Sequence, residues 1–337
     1  MLCALFCPFS QGPTRGNITS VKRIAKHLQL QGCRVQLIPL DDADREQQAT
    51  QLQNDLPDLL HAFHAHYAGP AARTAAARLD RPYLITLTGS DLFDPALRDH
   101  PDTRQALVDA SAVVCFDPLV AQQVLAHLPR LEQKLQIVPQ GVEPFPPASV
   151  WPRNTTEFVI LLPAALRPVK GIDQAIEQLA PLAATLPHLR LWIAGGIIDK
   201  TYAHQIQTTV SRHPWISLLG EIPYTQMGSV YAAADLVLNS SLFEGGMANA
   251  LLEAMVMGKA VVAADIPGNR SLIRQGKTGW IYSSGRELCD VVSGLMEQPD
   301  QRQRVGRAAQ EFVLTHCAPK QEAAALLRLY EQISCRS

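Results

Sequence analysis

The chain has 337 residues, a hydrophobic fraction of 47% and a charged fraction of 18%, which are typical of a globular protein with a full core. Its formal net charge of −1 excludes a broad electrostatic attraction to nucleic acid or to an anionic membrane. No apolar run of about 18 residues predicts a transmembrane helix. The apolar N-terminus is interpreted as a buried strand rather than a signal peptide.

The seven cysteines are scattered along the chain and form no CxxC pair and no Cys/His spacing of a metal site. They are interpreted as reduced thiols, which favours a cytoplasmic location. The cysteine pattern therefore predicts neither a disulfide framework nor a metal centre.

Short apolar runs alternate with helix-length segments along almost the whole chain. The predicted strands are Leu2–Phe6, Arg34–Ile38, Leu59–Phe63, Tyr83–Leu87, Ala112–Phe116, Gln136–Val138, Phe158–Leu162, Leu189–Ala194, Ile216–Leu219, Leu236–Asn239, Ala260–Ala264 and Trp280–Tyr282. Runs of this kind are typical of parallel strands buried on both faces. The pattern predicts an α/β protein with two doubly wound, Rossmann-like parallel sheets.

A cluster of prolines at Pro144, Pro146 and Pro147 predicts a stiff linker, because proline fixes φ and cannot donate to a strand ladder. The boundary placed there gives an N-terminal domain of residues 1–145 and a C-terminal domain of residues 146–319. A last helix, within 320–337, can pack back on the first domain. Ligands of such sheets lie outside the carboxyl ends of the strands, so two sheets facing one another would enclose a cleft.

The most informative segment runs from Asn239 to Asn269. A predicted strand leads through Gly245-Gly246 into a predicted helix, for which Asn249 is the expected N-cap. Glu244 and Glu253 bring two carboxylates to the loop and the helix start. Backbone N–H groups of a glycine loop suit anionic ligands, and carboxylates suit sugar hydroxyls. The segment therefore predicts a nucleotide-sugar site.

The sequence from Glu244 to Met255, EGGMANALLEAM, resembles the motif of two glutamates in retaining GT-B glycosyltransferases of family four, the glycosyl transferases group 1. Eight residues separate the two glutamates here, whereas the family has seven. The extra residue lies before Asn249, in a loop that can absorb it. The resemblance implies that Glu253 binds the ribose hydroxyls of the nucleotide. It also implies that Glu244 faces the donor sugar.

A basic pair follows the first strand of the second domain, where the resemblance implies contact with the diphosphate. Arg167 can hold phosphate bidentately, and Lys170 acts as a point charge on a leaving group that gains charge. The pair would take the place of a metal, as is general in this family, so no metal and no cofactor is expected. The close Arg-x-x-Lys spacing is similar to a subgroup that includes selenosugar synthases and an animal glycosyltransferase-domain protein.

The resemblance also covers several single positions. In the second domain, it implies nucleotide-sugar contacts at Gly195, Gly220, Ile222, Gly245, Gly246 and Asn249. In the first domain, it implies acceptor-side positions at Gly16, Asn17, His64 and Asp91. The turn Pro267-Gly268-Asn269 recurs in the same subgroup.

We therefore expect a retaining glycosyltransferase of the hexosyltransferase type that moves a sugar from a nucleoside-diphosphate donor, UDP being favoured. Three alternatives stay open: transfer to selenophosphate, a nucleotide-sugar hydrolase or epimerase, and a non-catalytic relative. A dinucleotide oxidoreductase is disfavoured because no GxGxxG opens a βαβ unit. The sequence does not give the donor base and sugar, the acceptor, the oligomeric state or any peripheral membrane contact.

Overall fold

The computed structural model describes residues 1–8, 16–41, 50, 52–146 and 149–335. The chain forms two compact units. The first unit comprises Met1–Gly141 and Cys317–Ser337, and the second comprises Val142–His316. Each unit contains one parallel sheet with helices packed on it.

The first unit ends at Gly141, whereas the proline cluster placed the boundary at residue 145. The physical reason is the ring of Phe145, which packs on the second unit. Its centroid lies 4.9 Å from that of Tyr224 and 5.6 Å from that of Tyr231. Pro147, a member of the predicted linker, lies outside the described residues.

The sheet of the first unit has six parallel strands in the order β2-β1-β3-β4-β5-β6. They are β1 (Leu2–Cys7), β2 (Arg34–Pro39), β3 (Leu59–Phe63), β4 (Tyr83–Thr86), β5 (Ala112–Cys115) and β6 (Leu135–Ile137). The interior strands are buried on both faces, as predicted. The edge strands β2 and β6 are mostly half-buried or exposed, so the expectation of full burial is wrong for them.

The sheet of the second unit also has six parallel strands, in the order β12-β11-β10-β7-β8-β9. They are β7 (Phe158–Pro163), β8 (Leu189–Ala194), β9 (Ile216–Gly220), β10 (Leu236–Asn239), β11 (Val261–Ala264) and β12 (Trp280–Tyr282). This is the Rossmann strand order, which reverses between β7 and β10. The two sheets confirm the predicted α/β, doubly wound architecture.

Helices connect successive strands in both units. In chain order they are α1 (Gly16–Leu30), α2 (Gly69–Leu79), α3 (Ser90–Phe93), α4 (Pro95–Arg98), α5 (Pro101–Asp109), α6 (Pro118–His127), α7 (Ile172–Thr185), α8 (Lys200–Val210), α9 (Tyr224–Ala233), α10 (Asn249–Val256), α11 (Pro267–Arg270), α12 (Gly285–Glu297), α13 (Pro299–His316) and α14 (Pro319–Ser334). No helix in the described part of the chain is long and apolar enough to cross a membrane.

Three helix starts differ from the sequence interpretation. Asn249 is the first residue of α10 rather than its N-cap, because Ala248 takes the extended cap conformation and makes no side-chain cap bond. The resemblance places Gly16 and Asn17 directly before a helix, but they are the first two residues of α1. The predicted turn at Pro267 is the short helix α11, whose fixed proline φ suits a first helical position.

The last helix, α14, packs on α1 of the first unit through a buried ion pair. Arg23 donates from Nε and Nη2 to the two carboxylate oxygens of Glu322, each at 3.0 Å. The side chains are 6% and 1% exposed. On the same helix, the hydroxyl of Tyr330 lies 2.7 Å from Nδ1 of His61, and both side chains are buried. Residues far apart in sequence thus join one core.

Replacing Arg23 with Met should strongly destabilise the first unit, because it leaves the Glu322 carboxylate buried without its partner. Breaking such a pair costs about 3–5 kcal/mol, whereas replacing both partners with apolar groups is often neutral. We expect Arg23→Met to lower the free energy of unfolding in urea by about that amount. The double variant Arg23→Met/Glu322→Leu should recover most of the loss.

The exposed pair Arg73–Asp109 offers a matched control, with side chains 46% and 36% exposed. Arg73→Met should cost about 1 kcal/mol or less. An equal loss in Arg23→Met and Arg73→Met would show that the buried pair does not hold α14 in place.

Candidate functional site

The loops that follow β7 and β10 meet at the point where the strand order reverses, which is where ligands bind in open α/β sheets. The backbone N–H of Leu242 donates to the carbonyl of Val169 at 2.9 Å. The Ser240 hydroxyl donates to the carbonyl of Lys170 at 2.8 Å. A Cβ atom at Gly171, where φ is +55°, would lie 2.4 Å from the carbonyl oxygen of Ser240. Only glycine permits this close approach.

This contact brings a cation and a carboxylate together. Lys170 Nζ lies 2.6 Å from Glu244 Oε1, and both side chains are 16% exposed. The hydroxyl of Ser241 donates to the same carboxylate oxygen at 2.7 Å and accepts from Lys170 Nζ at 3.3 Å. Lys170, Ser241 and Glu244 therefore form one hydrogen-bonded cluster, which we call the ion-pair cluster.

The electrostatics of the ion-pair cluster keep Glu244 ionised. Burial raises the pKa of this carboxyl group. The charge and hydrogen bond of Lys170, the hydrogen bond of Ser241 and the charge of Arg167 together outweigh burial, so the pKa is lowered. Arg167 precedes the 3-10 turn Pro168–Lys170. Both predicted cations thus act on one carboxylate.

The loop between Glu244 and α10 packs on the start of α11. Gly245 and Gly246 are buried in this loop. A Cβ atom at Gly268 would lie 2.2 Å from the carbonyl oxygen of Gly246 and 3.1 Å from Cβ of Glu244. The extra residue of the glutamate motif is therefore accommodated in a loop that packs closely on Gly268.

Glu253 lies on α10, and a buried tyrosine fixes its carboxylate. The hydroxyl of Tyr231, on α9, donates to Glu253 Oε2 at 2.9 Å. Burial, followed by the charge of Glu253, raises the pKa of Tyr231 well above its usual range, so the hydroxyl keeps its proton. Glu253 is itself half-buried.

The loops after β8 and β9 lie beside the loop after β7. Gly195 donates its backbone N–H to the carbonyl of Gly220 at 2.8 Å, and Leu166 donates to the carbonyl of Gly196 at 2.9 Å. Gly220 has a left-handed φ of +70°. Ile222 follows in the same loop and is half-buried. The carboxyl ends of these strands thus form a continuous edge.

In the first unit, Asp91 organises the loops that follow β3 and β4. Its carboxylate is 1% exposed. It accepts the backbone N–H groups of Ala65 at 2.8 Å, Thr88 at 3.0 Å and Gly89 at 2.7 Å. Through these bonds the carboxylate holds the backbone of both loops.

His64 is held in a fixed tautomer by its own loop. Its Nδ1 accepts the backbone N–H groups of His66 and Tyr67, each at 3.2 Å. The ring proton therefore lies on Nε2, which donates to the hydroxyl of Ser90 at 2.9 Å. Burial lowers the pKa of His64, and this effect outweighs the charge of Asp91, which raises it. Its φ of +94° is strained for a residue with a side chain.

The acceptor-side predictions are only partly described. Gly16 and Asn17 begin α1, but their side-chain surroundings lie outside the described part of the chain. Among the described residues, no group of three or more His, Cys, Asp or Glu side chains could hold a metal ion.

Residues 148–312 match the family model described as Glycosyl transferases group 1. The matched residues lie within the second unit. The chain is 28% identical over 218 residues to "Glycosyltransferase 1 domain-containing protein 1" of Xenopus tropicalis, a match that covers 61% of this chain. The match spans 63% of the length of that relative.

Two solved structures are similar in fold. Sucrose-phosphate synthase from Thermosynechococcus elongatus has a TM-score of 0.80 at 17% identity and covers 100% of both chains. HepE of Anabaena, solved in complex with UDP and glucose, has a TM-score of 0.74 at 17% identity, with 98% of this chain and 99% of that chain covered. These likenesses confirm the predicted GT-B fold.

The second unit brings most of the sequence-predicted donor residues to one edge of its sheet. Arg167, Lys170 and Glu244 meet there, and Glu253 lies on the helix that follows the glycine loop. Sequence reasoning missed Ser241 and Tyr231. Ser241 could have been noticed as a polar residue three positions before Glu244, but nothing in the sequence marks Tyr231.

Replacing Lys170 with Met should cost stability in a pH-dependent way. The lowered pKa of Glu244 stabilises the folded state above the ordinary glutamate pKa, near 4.5, and this contribution is lost as pH falls through the folded value. Replacing Lys170 removes the two largest effects that oppose burial, so the pKa of Glu244 should rise. Urea unfolding should show a larger loss in Lys170→Met at pH 7 than at about pH 4.

The control is Lys170→Met in a Glu244→Gln background, where the glutamine cannot titrate. We expect the effect of Lys170→Met there to be independent of pH over the same range. A loss of equal size at both pH values in the Glu244 background would contradict the ion-pair cluster.

Proposed function

We propose that the protein is a retaining glycosyltransferase of family four that takes a hexose from a nucleoside-diphosphate donor bound to the second unit. The observation that carries the proposal is the cluster of Arg167, Lys170 and Glu244 at the strand-order reversal of a group 1 domain. Two cations near one carboxylate suit a donor with a charged diphosphate and a hydroxyl-rich sugar.

The two cations would stabilise the leaving group. When the bond between the anomeric carbon and the diphosphate breaks, negative charge grows on the diphosphate oxygen. Arg167 offers a planar set of N–H donors, and Lys170 offers a compact ammonium. Donor binding would then draw Lys170 from Glu244 towards the diphosphate, so Glu244 could accept from the sugar hydroxyls.

The bonding of Glu244 supports a route in which this carboxylate is not the nucleophile. When Lys170 turns to the diphosphate, Oε1 of Glu244 still accepts a hydrogen bond from Ser241, which lowers its nucleophilicity. We propose that the acceptor oxygen attacks the anomeric carbon on the face from which the diphosphate departs. The acceptor proton passes to the departing diphosphate oxygen, so no covalent glycosyl-enzyme intermediate is needed. This route differs from that of retaining glycosidases, which use two close carboxylates.

The nucleotide would lie over the start of α10. This helix has no side-chain cap at Ala248, and the backbone N–H groups of a helix start favour anions. Glu253 would accept from the ribose hydroxyls. Gly195, Gly220 and Ile222 would line the base and diphosphate. Gly16, Asn17, His64 and Asp91 of the first unit stay predictions for the acceptor side.

UDP is the first donor nucleotide to test, because HepE, a neighbour in fold, was solved with UDP and glucose. A non-catalytic relative is disfavoured by Glu244, which reaches Lys170 at 2.6 Å despite the lengthened loop. No observation favours hydrolysis, epimerisation or transfer to selenophosphate over transfer to another acceptor. The cytoplasmic location also stays a prediction.

Nucleotide binding tests the proposal. Calorimetry with UDP, GDP and ADP in metal-free buffer should show binding by the wild type. Arg167→Ala and Glu253→Ala should each weaken it by about tenfold or more, because hydrogen bonds to charged groups contribute about 1.5–3 kcal/mol. Arg286→Ala is the matched control, since that side chain is 92% exposed in the same unit and should leave binding unchanged. Absence of binding to every nucleotide would overturn the proposal.

Metal independence is tested separately. The chain has one Asp-x-Asp tripeptide, Asp42-Ala43-Asp44, which lies outside the described residues. We expect nucleotide binding and any turnover of the nucleotide sugar to be unchanged by EDTA and by the double variant Asp42→Asn/Asp44→Asn. Loss of binding in EDTA, with recovery on adding Mn²⁺, would contradict the assignment of Arg167 and Lys170 in place of a metal.

A further inference from the structure

Tyr231 contacts Glu253, the carboxylate proposed to bind the ribose, and the proposed mechanism does not use this tyrosine. It lies on α9, is fully buried, and belongs to no motif. Its hydroxyl has two acceptors in reach, Glu253 Oε2 at 2.9 Å and the carbonyl of Ala250 at 3.4 Å. A phenol has one proton to donate, so Tyr231 donates it to the nearer, charged oxygen, Glu253 Oε2.

The ring of Tyr231 is fixed by the segment that enters the second unit. Phe145 lies 5.6 Å from it, centroid to centroid. A Cβ atom at Gly228, on the same helix as Tyr231, would lie 2.8 Å from Cβ of Phe145. The missing side chain at Gly228 therefore allows Phe145 to sit directly on α9. The hydroxyl that Tyr231 offers to Glu253 consequently has a fixed position.

The bond also fixes the carboxylate. A glutamate side chain has several rotatable bonds, and ordering it during ligand binding would weaken affinity. Holding Oε2 restricts the rotation of the carboxylate and hence the directions in which Oε1 can point. Burial keeps the phenol protonated, since it raises the pKa of Tyr231 well above its usual range. The phenol therefore stays a donor to Glu253.

We propose that Tyr231 is a positioning residue that orients Glu253 towards the ribose hydroxyls and so sets the preference for ribonucleotides over 2′-deoxyribonucleotides. The inference rests on the proposed donor site and deepens it. Tyr231 does not touch the ligand, and it acts only through the carboxylate. Its removal should affect the contribution of the ribose hydroxyl and leave the other contacts of the nucleotide intact.

The experiment compares the affinities for UDP and 2′-deoxy-UDP by calorimetry, with the GDP and ADP pairs run in parallel. The wild type should prefer the ribonucleotide by about tenfold or more. Tyr231→Phe should weaken UDP binding by about three- to tenfold and 2′-deoxy-UDP binding by less, because only the 3′-hydroxyl remains there to bond Glu253, so the ratio falls. Glu253→Ala should abolish the preference and marks the lower limit of the ratio.

Tyr83→Phe is the matched control. Tyr83 is buried in the first unit, where its hydroxyl donates to the carbonyl of Ala106 at 2.6 Å. Its loss removes a buried hydrogen bond of the same kind and should leave the ratio unchanged. Thermal unfolding of both variants shows whether they are folded to the same extent.

Two results would overturn the inference. If Tyr231→Phe weakens both nucleotides equally, or changes neither, Tyr231 supports the packing of α9 and not the orientation of Glu253, and the donor site stands. If the wild type binds no nucleotide, the proposed function fails and this inference fails with it. A fall in the ratio in Tyr231→Phe, without one in Tyr83→Phe, supports it.

Discussion

The close backbone contact between the loops after β7 and β10 is the constraint on which the candidate site depends. Gly171 touches the carbonyl of Ser240 at a distance that no side chain would allow. The adjoining residues, Lys170 and Ser241, then face each other across this contact. Glu244, three positions after Ser241, therefore lies beside Lys170, which follows a different strand. The charge chemistry of the site is thus a consequence of backbone packing.

The ion pair of Lys170 and Glu244 is ordered but can still separate when a ligand binds. Complete burial of Lys170 and Glu244 would make separation costly, since neither charge could be hydrated alone. Full exposure would leave the pair weak and mobile. At 16% exposure the two groups are ordered and still adjacent to solvent. An anionic ligand can then replace the carboxylate as the partner of the lysine.

The strands could be predicted from the sequence because apolar runs of four to six residues are typical of interior parallel strands. The proximity of Arg167, Lys170 and Glu244 could be expected, because the family resemblance assigned them to one donor site and the carboxyl ends of parallel strands share an edge. The predicted N-cap at Asn249 was wrong. Its side chain suits a cap, but the helix begins one residue earlier than that cap requires. Chemical type does not determine where a helix begins.

The side-chain contacts could not be predicted. The bond from Tyr231 to Glu253 joins residues 22 positions apart, and that from Arg23 to Glu322 joins residues 299 positions apart. Each depends on how a whole helix packs, and no local pattern specifies it. The tautomer of His64 could not be predicted either, because two backbone N–H groups of its own loop determine it. Such contacts determine which groups can titrate and which can bind.

The extra residue between Glu244 and Glu253 has a physical explanation in these contacts. Glu244 is placed by the loop after β7 and by Gly268 beneath it, whereas Glu253 is placed by Tyr231 on α9. The two carboxylates are thus located by different parts of the sheet edge, and the chain between them only has to connect two fixed points. Adding a residue to a loop costs little, while adding one within α10 would turn Glu253 by about 100°. The spacing of the motif can therefore vary before the helix and not inside it.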